Sequence, residues 1–146
     1  MEAFGAILSD FIDKDILITL SGNLGAGKTT LTRGFIHAIG HKGAVKSPTY
    51  ALVEPYNING KSIMHFDLYR LSDPEELEFL GFRDCLDGSA VCLIEWPEKA
   101  TGFLPQPDLA IRIDVVKNGR QIHWQSFTEK GVLIDQQLLA SFPPQN

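Results

Sequence analysis

Apolar positions along the chain change period several times, and each change marks an element. Residues 2 to about 13 carry Phe4, Ile7, Leu8 and Phe11 at helical spacing, which predicts a short amphipathic helix packed beside the first strand. That strand is Ile16-Leu17-Ile18-Thr19-Leu20, an apolar run of the kind buried on both faces of a parallel sheet. Over residues 29–39 the period lengthens: Leu31, Phe35 and Ile39 fall on one helical face, and Gly40 is placed to end the helix.

Alternation then returns. Residues 51–56 and 61–68 read as two strands joined at Asn59-Gly60, a strong hairpin signal, and Pro55 puts the first of them toward an edge. In the second, Met64, Phe66 and Leu68 share one face, while His65, Asp67 and Tyr69 share the other. Asp73-Pro74-Glu75-Glu76 has the order of a helix start, with Asp73 at the N-cap and Glu76 as its reciprocal cap, and Leu77, Leu80 and Phe82 form the apolar side. The acidic run Glu75, Glu76 and Glu78 reads as a solvated face or a partner-docking surface. Val91-Cys92-Leu93-Ile94-Glu95 is a second buried strand ending on an acid, with Pro97 stopping it. Residues 108–116 and 120–127 form another hairpin around Asn118-Gly119, with Ile111, Ile113 and Val115 on one face. From Thr128 a last helix carries Val132, Leu138 and Leu139, and the chain closes on a loose tail, Pro143-Pro144-Gln145-Asn146. Strands alternating with helices, plus two hairpins, predict a single α/β domain over residues 1–146, with a central mixed sheet, parallel and antiparallel, flanked by helices.

Composition narrows the function. The 146 residues are 44% apolar, enough for a single core. No apolar run approaches the ~20 residues of a membrane span, and the first residues lack the basic start of a secretory signal. Cys85 and Cys92 have neither metal-ligand spacing nor the density of a disulfide scaffold, and Cys92 reads as a buried thiol in a strand. A cytoplasmic protein is expected. A net charge of −5 with 13 scattered basic residues argues against a broad phosphate-backbone footprint, so any nucleic acid would be met through a partner or a small patch.

The chemistry centres on residues 22–29. Gly22-Asn23-Leu24-Gly25-Ala26-Gly27-Lys28-Thr29 matches G-x-x-x-x-G-K-[ST] between a strand and a helix, the context that turns the pattern into a P-loop. Such a loop aims backbone amides at phosphate oxygens, at the positive end of the following helix. Asn23, Leu24, Gly25, Ala26, Gly27, Lys28, Thr29 and Thr30 are therefore the nucleotide-binding candidates. Lys28 reaches the β- and γ-phosphates, and Thr29 ligates the accompanying magnesium ion. Thr49, in Ser47-Pro48-Thr49-Tyr50, is either a γ-phosphate sensor on a switch loop or part of a proline turn leading into a strand. Asp67 could hold magnesium through water or orient the attacking water. Glu95, at the carboxyl end of its strand, should emerge at the P-loop mouth, where it could bind magnesium or act as a general base. Trp96 belongs either to the site or to the core.

Four motifs in order, Gly22 through Thr30, Ser47-Pro48-Thr49-Tyr50, His65-Phe66-Asp67-Leu68-Tyr69-Arg70-Leu71 and Glu95-Trp96-Pro97, resemble the successive signatures of the TsaE (YjeE) family. The match covers about residues 15–105; residues 106–146 carry no motif and are expected to complete the sheet. The resemblance implies a P-loop ATPase needed for threonylcarbamoyl-adenosine formation on tRNA, working with ATP and Mg2+ and docking on the TsaB–TsaD pair. It also implies that Thr29 and Glu95 hold the metal and that Asp67 and Trp96 belong to the functional set. Lys28, Asp67, Glu95 and Thr49 are then the catalytic candidates. Of the arginines, Arg70 is the best internal source of a cation at the γ-phosphate, and a partner is the other source. Two alternatives use the same loop differently: a small-molecule kinase would pass the γ-phosphate to a metabolite, and a nucleotide sensor would bind without hydrolysis.

Overall fold

The structure, a computed structural model, describes residues 1–13, 15–88 and 90–144. Its elements are α1 (Glu2–Asp10), β1 (Ile16–Ser21), α2 (Lys28–Ile39), β2 (Val53–Ile58), β3 (Lys61–Asp67), α3 (Glu76–Phe79), α4 (Phe82–Cys85), β4 (Ala90–Glu95), β5 (Leu109–Val116), β6 (Gly119–Ser126) and α5 (Glu129–Ser141), with a 3-10 turn at Pro97–Ala100. The six strands form one sheet in the order β2-β3-β4-β1-β5-β6. The inner four, β3, β4, β1 and β5, run parallel, and hairpins add β2 and β6 as antiparallel edges. This is the expected mixed α/β sheet. Pro55 lies in edge strand β2, where its missing amide costs no inner ladder bond.

Strand alternation divides the core in two. Ile16, Ile18 and Leu20 of β1, with Val91 and Leu93 of β4, pack against Leu31, Phe35 and Ile36 of α2 and against Ile134 and Leu138 of α5. Leu17, Cys92, Ile94 and Phe66 face the other way, onto Leu77, Phe82 and Ala100. Each face of the inner strands is covered, so those strands read as continuous apolar runs. Among the described residues, no helix is long and apolar enough to cross a membrane.

Several local expectations change. Helix α1 ends at Asp10, before residue 13, and packs chiefly on α2. Glycines set that approach: a Cβ on Gly5 would sit 2.0 Å from the Leu31 carbonyl oxygen, and one on Gly34 would sit 2.1 Å from that of Glu2. Gly34→Ala is accordingly expected to lower stability by about 2 kcal/mol, despite the better helix propensity of alanine, because backbone must move to admit the methyl group. Denaturant unfolding checks this; an unchanged midpoint would mean that the two helices can separate at no cost.

The helix expected from Asp73 is two single turns, α3 and α4, broken at Gly81, whose φ is +75°. Its start keeps the expected reciprocal bond, with the Asp73 amide donating to Glu76 Oε2 at 3.2 Å. Asn59 and Gly60 both have positive φ, as a tight hairpin turn requires, whereas the second hairpin turns on Lys117-Asn118, with Gly119 already paired to Val116. Val115, near the end of β5, is 57% exposed, while Ile111 and Ile113 are buried. In α5 the buried apolar residues are Ile134 and Leu138; Val132 and Leu139 face outward. Thr128 caps this helix, accepting from the Gly131 amide at 3.1 Å and donating to Asp108 Oδ1 at 2.6 Å. Gln145 and Asn146 of the expected tail lie outside the described residues.

Cys92 is buried as expected but is not a free thiol: it is joined to Cys85, with Cα atoms 6.5 Å apart, a separation that a disulfide spans. The pairing escaped the sequence because it depends on α4 folding back onto β4.

Candidate functional site

The carboxyl ends of β1, β3 and β4 lie side by side, with the last residues of β3 and β4 level with Leu20, one residue before the end of β1. Asp67 pairs with Glu95 across β3 and β4, and Glu95 with Leu20 across β4 and β1. The P-loop leaves β1 at this edge and turns into α2 at Gly27, whose φ of +119° is unfavourable for any residue with a Cβ. Between loop and strand ends lies a cavity of about 340 Å3. Its walls include Gly25, Gly27, Lys28, Thr29 and Thr30 from the loop, Asp67 and Glu95 from the strands, and Ser47, Thr49, Arg70 and Trp96 from the loops around them.

Every residue expected at the metal is here. Thr29 Oγ1 lies 3.1 Å from each carboxylate oxygen of Glu95, so a hydroxyl and an acid converge on one point. Oxygen ligands of this type suit magnesium, which takes few protein ligands and relies on the nucleotide's phosphates for others. Among the described residues, no group of three or more His, Cys, Asp or Glu side chains forms a protein-only metal cage. Glu95 is only 2% exposed; besides Thr29, it is bonded to His65 Nε2 at 2.6 Å.

Lys28 is buried with its ammonium folded back, donating to the carbonyl oxygens of Gly22 and Asn23 and lying 4.1 Å from the centre of the Trp96 ring. Burial lowers its pKa from the usual lysine value, and the nearby carboxylates of Glu95, Glu98 and Asp67 offset this only in part. Trp96 itself has φ +61°, a left-handed conformation that is rare and strained for a large side chain. That strain turns its ring over the lysine and against Tyr69, with centroids 4.9 Å apart. The open choice between core and site is thus resolved toward the cavity wall, although Trp96 also touches the second core cluster.

Asp67 is held from two sides. The Tyr69 amide donates to Oδ1 at 3.0 Å, Ser47 donates to Oδ2, and Thr49 Oγ1 donates in turn to Ser47 at 3.2 Å. Thr49 therefore reaches the acid through a hydroxyl chain, with Ser47 as a link that the sequence reading passed over. Arg70 stacks on the Tyr50 ring, 4.7 Å from its centre, beside the cavity. Asn23 and Ala26 stand apart from the cavity: Asn23 lines a neighbouring recess and Ala26 is buried beneath the loop.

The largest omission from the sequence reading is Arg120. No chemistry was expected after residue 105, yet Arg120 Nε donates to the Ala26 carbonyl at 2.9 Å, and Nη2 to that of Gly25 at 3.4 Å. It holds the P-loop from β6 and is not among the residues lining the cavity. A separation of 94 residues leaves no local signal for this contact.

Comparison with known proteins gives the family. The family model of "Threonylcarbamoyl adenosine biosynthesis protein TsaE" matches residues 1–122. The tRNA threonylcarbamoyladenosine biosynthesis protein TsaE of Haemophilus influenzae is 57% identical over 119 residues, 82% of this chain and 75% of that protein. The protein of the same name from Bacillus subtilis is 38% identical over 112 residues, 77% of this chain and 70% of that protein. Among solved structures, Bacillus subtilis YdiB superimposes with a TM-score of 0.81 at 28% identity, covering 96% of this chain and 87% of that one. With the family model spanning α1 through the start of β6, and relatives this similar over most of their own length, the chain belongs to the TsaE family.

Proposed function

We propose that this chain is a magnesium-dependent ATPase that serves threonylcarbamoyl-adenosine formation on tRNA, acting with the TsaB–TsaD pair. The observation that carries the reading is the convergence of Thr29 and Glu95 at 3.1 Å beside the P-loop lysine, with Asp67 held in the same cavity. Thr29 and Glu95 would hold magnesium, which when bound supplies charge stabilisation for the β- and γ-phosphates. Lys28 would leave its carbonyl partners for phosphate oxygens, and the loop amides would cradle the rest. Asp67, held by Ser47 and the Tyr69 amide, would orient the attacking water, and Thr49 would respond to the γ-phosphate. Catalysis of this kind is mostly positioning and electrostatics. The net charge of −5 supports contact with tRNA only through the complex.

The test is ATP hydrolysis with and without magnesium, by the chain alone and with TsaB and TsaD, with Lys28→Ala as the blank. Weak activity that rises with the partners and disappears in the variant is expected. Nucleotide binding with no hydrolysis in any mixture would turn the reading toward a sensor.

Arg120 supplies a further prediction. If its bonds hold the P-loop in the phosphate-binding shape, Arg120→Ala should raise the KM for ATP about fivefold, the equivalent of about 1 kcal/mol, with kcat changed less. Steady-state kinetics checks this, and an unchanged KM would reduce the contact to a surface bond.

A further inference from the structure

His65 is the most deeply buried polar side chain at the site, with no exposed surface at all. It lies in β3, two residues before Asp67 and opposite Leu93 of β4. Its Nε2 is 2.6 Å from Glu95 Oε2, while its Nδ1 is buried with no hydrogen-bond partner among the described residues. A carboxylate can only accept, so the proton between them belongs to Nε2. An unpaired nitrogen in the interior costs stability that an apolar residue of similar size would not. The strand's own packing therefore gives no reason for an imidazole here; the bond to Glu95 does.

We propose that His65 is a positioning residue for magnesium: by engaging Oε2, it fixes the plane of the Glu95 carboxylate, both of whose oxygens stand 3.1 Å from Thr29 Oγ1. Unlike Asp67, whose two oxygens are held by Ser47 and a backbone amide, Glu95 has no backbone donor at its carboxylate among the described residues. Its other partner is the Thr29 hydroxyl, which must itself serve the metal. Without the imidazole the carboxylate would be free to rotate, and metal affinity would fall in the way that loss of an outer partner weakens other metal sites. The inference rests on the proposed magnesium site, and concerns which residue orients it.

Mn2+ is the probe, its free concentration read by electron paramagnetic resonance in the presence of ADP, alongside ADP affinity measured without metal. His65→Leu is expected to weaken Mn2+ binding about tenfold or more while leaving metal-free ADP affinity unchanged. His65→Gln, whose amide nitrogen can occupy the place of Nε2, should restore most of the binding, and His65→Asn, whose amide stops short, should not. The Gln and Asn pair carries the test if the Leu variant does not fold. Equal Mn2+ affinity in the Gln and Asn variants, or a parallel loss of metal-free ADP affinity, would overturn the role. Failure of the wild-type chain to bind Mn2+ with ADP would overturn the magnesium site as well, which separates the two readings.

Discussion

Glu95→Gln is expected to lower ATP turnover by on the order of 100- to 1,000-fold while nucleotide still binds. The substitution keeps the size of the side chain and an oxygen that can accept from Thr29 at the 3.1 Å now seen, but removes the negative charge. Glu95 lies at the end of β4, 2% exposed, so this charge has little water to share and acts at nearly full strength on whatever cation sits beside Thr29. In the proposed site, phosphate binding would depend mainly on the P-loop and Lys28, which the change leaves in place. Single-turnover hydrolysis and ADP affinity, measured on the same preparation, separate the two effects. Formation of threonylcarbamoyl-adenosine should fall with hydrolysis; full modification by a variant unable to hydrolyse would show that nucleotide binding alone is the signal. Hydrolysis at the normal rate would remove Glu95 from the metal.

Lys28→Met should abolish ATP binding without destabilising the nucleotide-free chain. Lys28 is 5% exposed and its pKa is lowered by burial, which means that the folded state holds the charged form less well than the unfolded chain does. A methionine of similar length keeps contact with the Trp96 ring and removes that penalty, although it leaves the Gly22 and Asn23 carbonyls without their donor. The sign with pH follows from linkage. Below the lowered pKa the penalty is present in full; as pH rises from there toward the usual lysine value it disappears, so the wild-type chain gains stability relative to the variant. Thermal unfolding of both proteins from neutral to alkaline pH measures this, and a gap widening in the variant's favour would contradict the assignment. On the proposed reading, Lys28 is then a group whose burial would become favourable when phosphate arrives, a local cost in the empty state.

Much of this site is legible in the chain because local chemistry writes it there. The run at residues 16–20, the glycines and lysine of residues 22–28, and an acid ending each of β3 and β4 are all local features, and strand geometry carries both acids to the edge where the P-loop begins. The Asn59-Gly60 turn is legible for the same reason, since those residue types accept the backbone angles found there. The second hairpin was shifted by one residue, because a sheet's register is settled by which side chains reach the core and not by the turn residues alone.

Contacts between distant segments were hidden. Arg120 and the P-loop, His65 and Glu95, Ser47 and Asp67, and the two cysteines are partners whose meeting depends on how the strands are ordered and which way each loop returns. The glycine contact of α1 with α2 is of the same sort: Gly5 reads as a weak helix residue until Leu31 is found behind it. The sequence by itself thus determined the alternation of strands and helices, the glycine-rich loop of residues 22–29 and the acids facing it, since each follows from neighbouring residues and a fixed side-chain period. Tertiary structure alone decided which groups hold those acids and that loop in place, because such bonds require segments far apart in the chain to meet within a few ångströms.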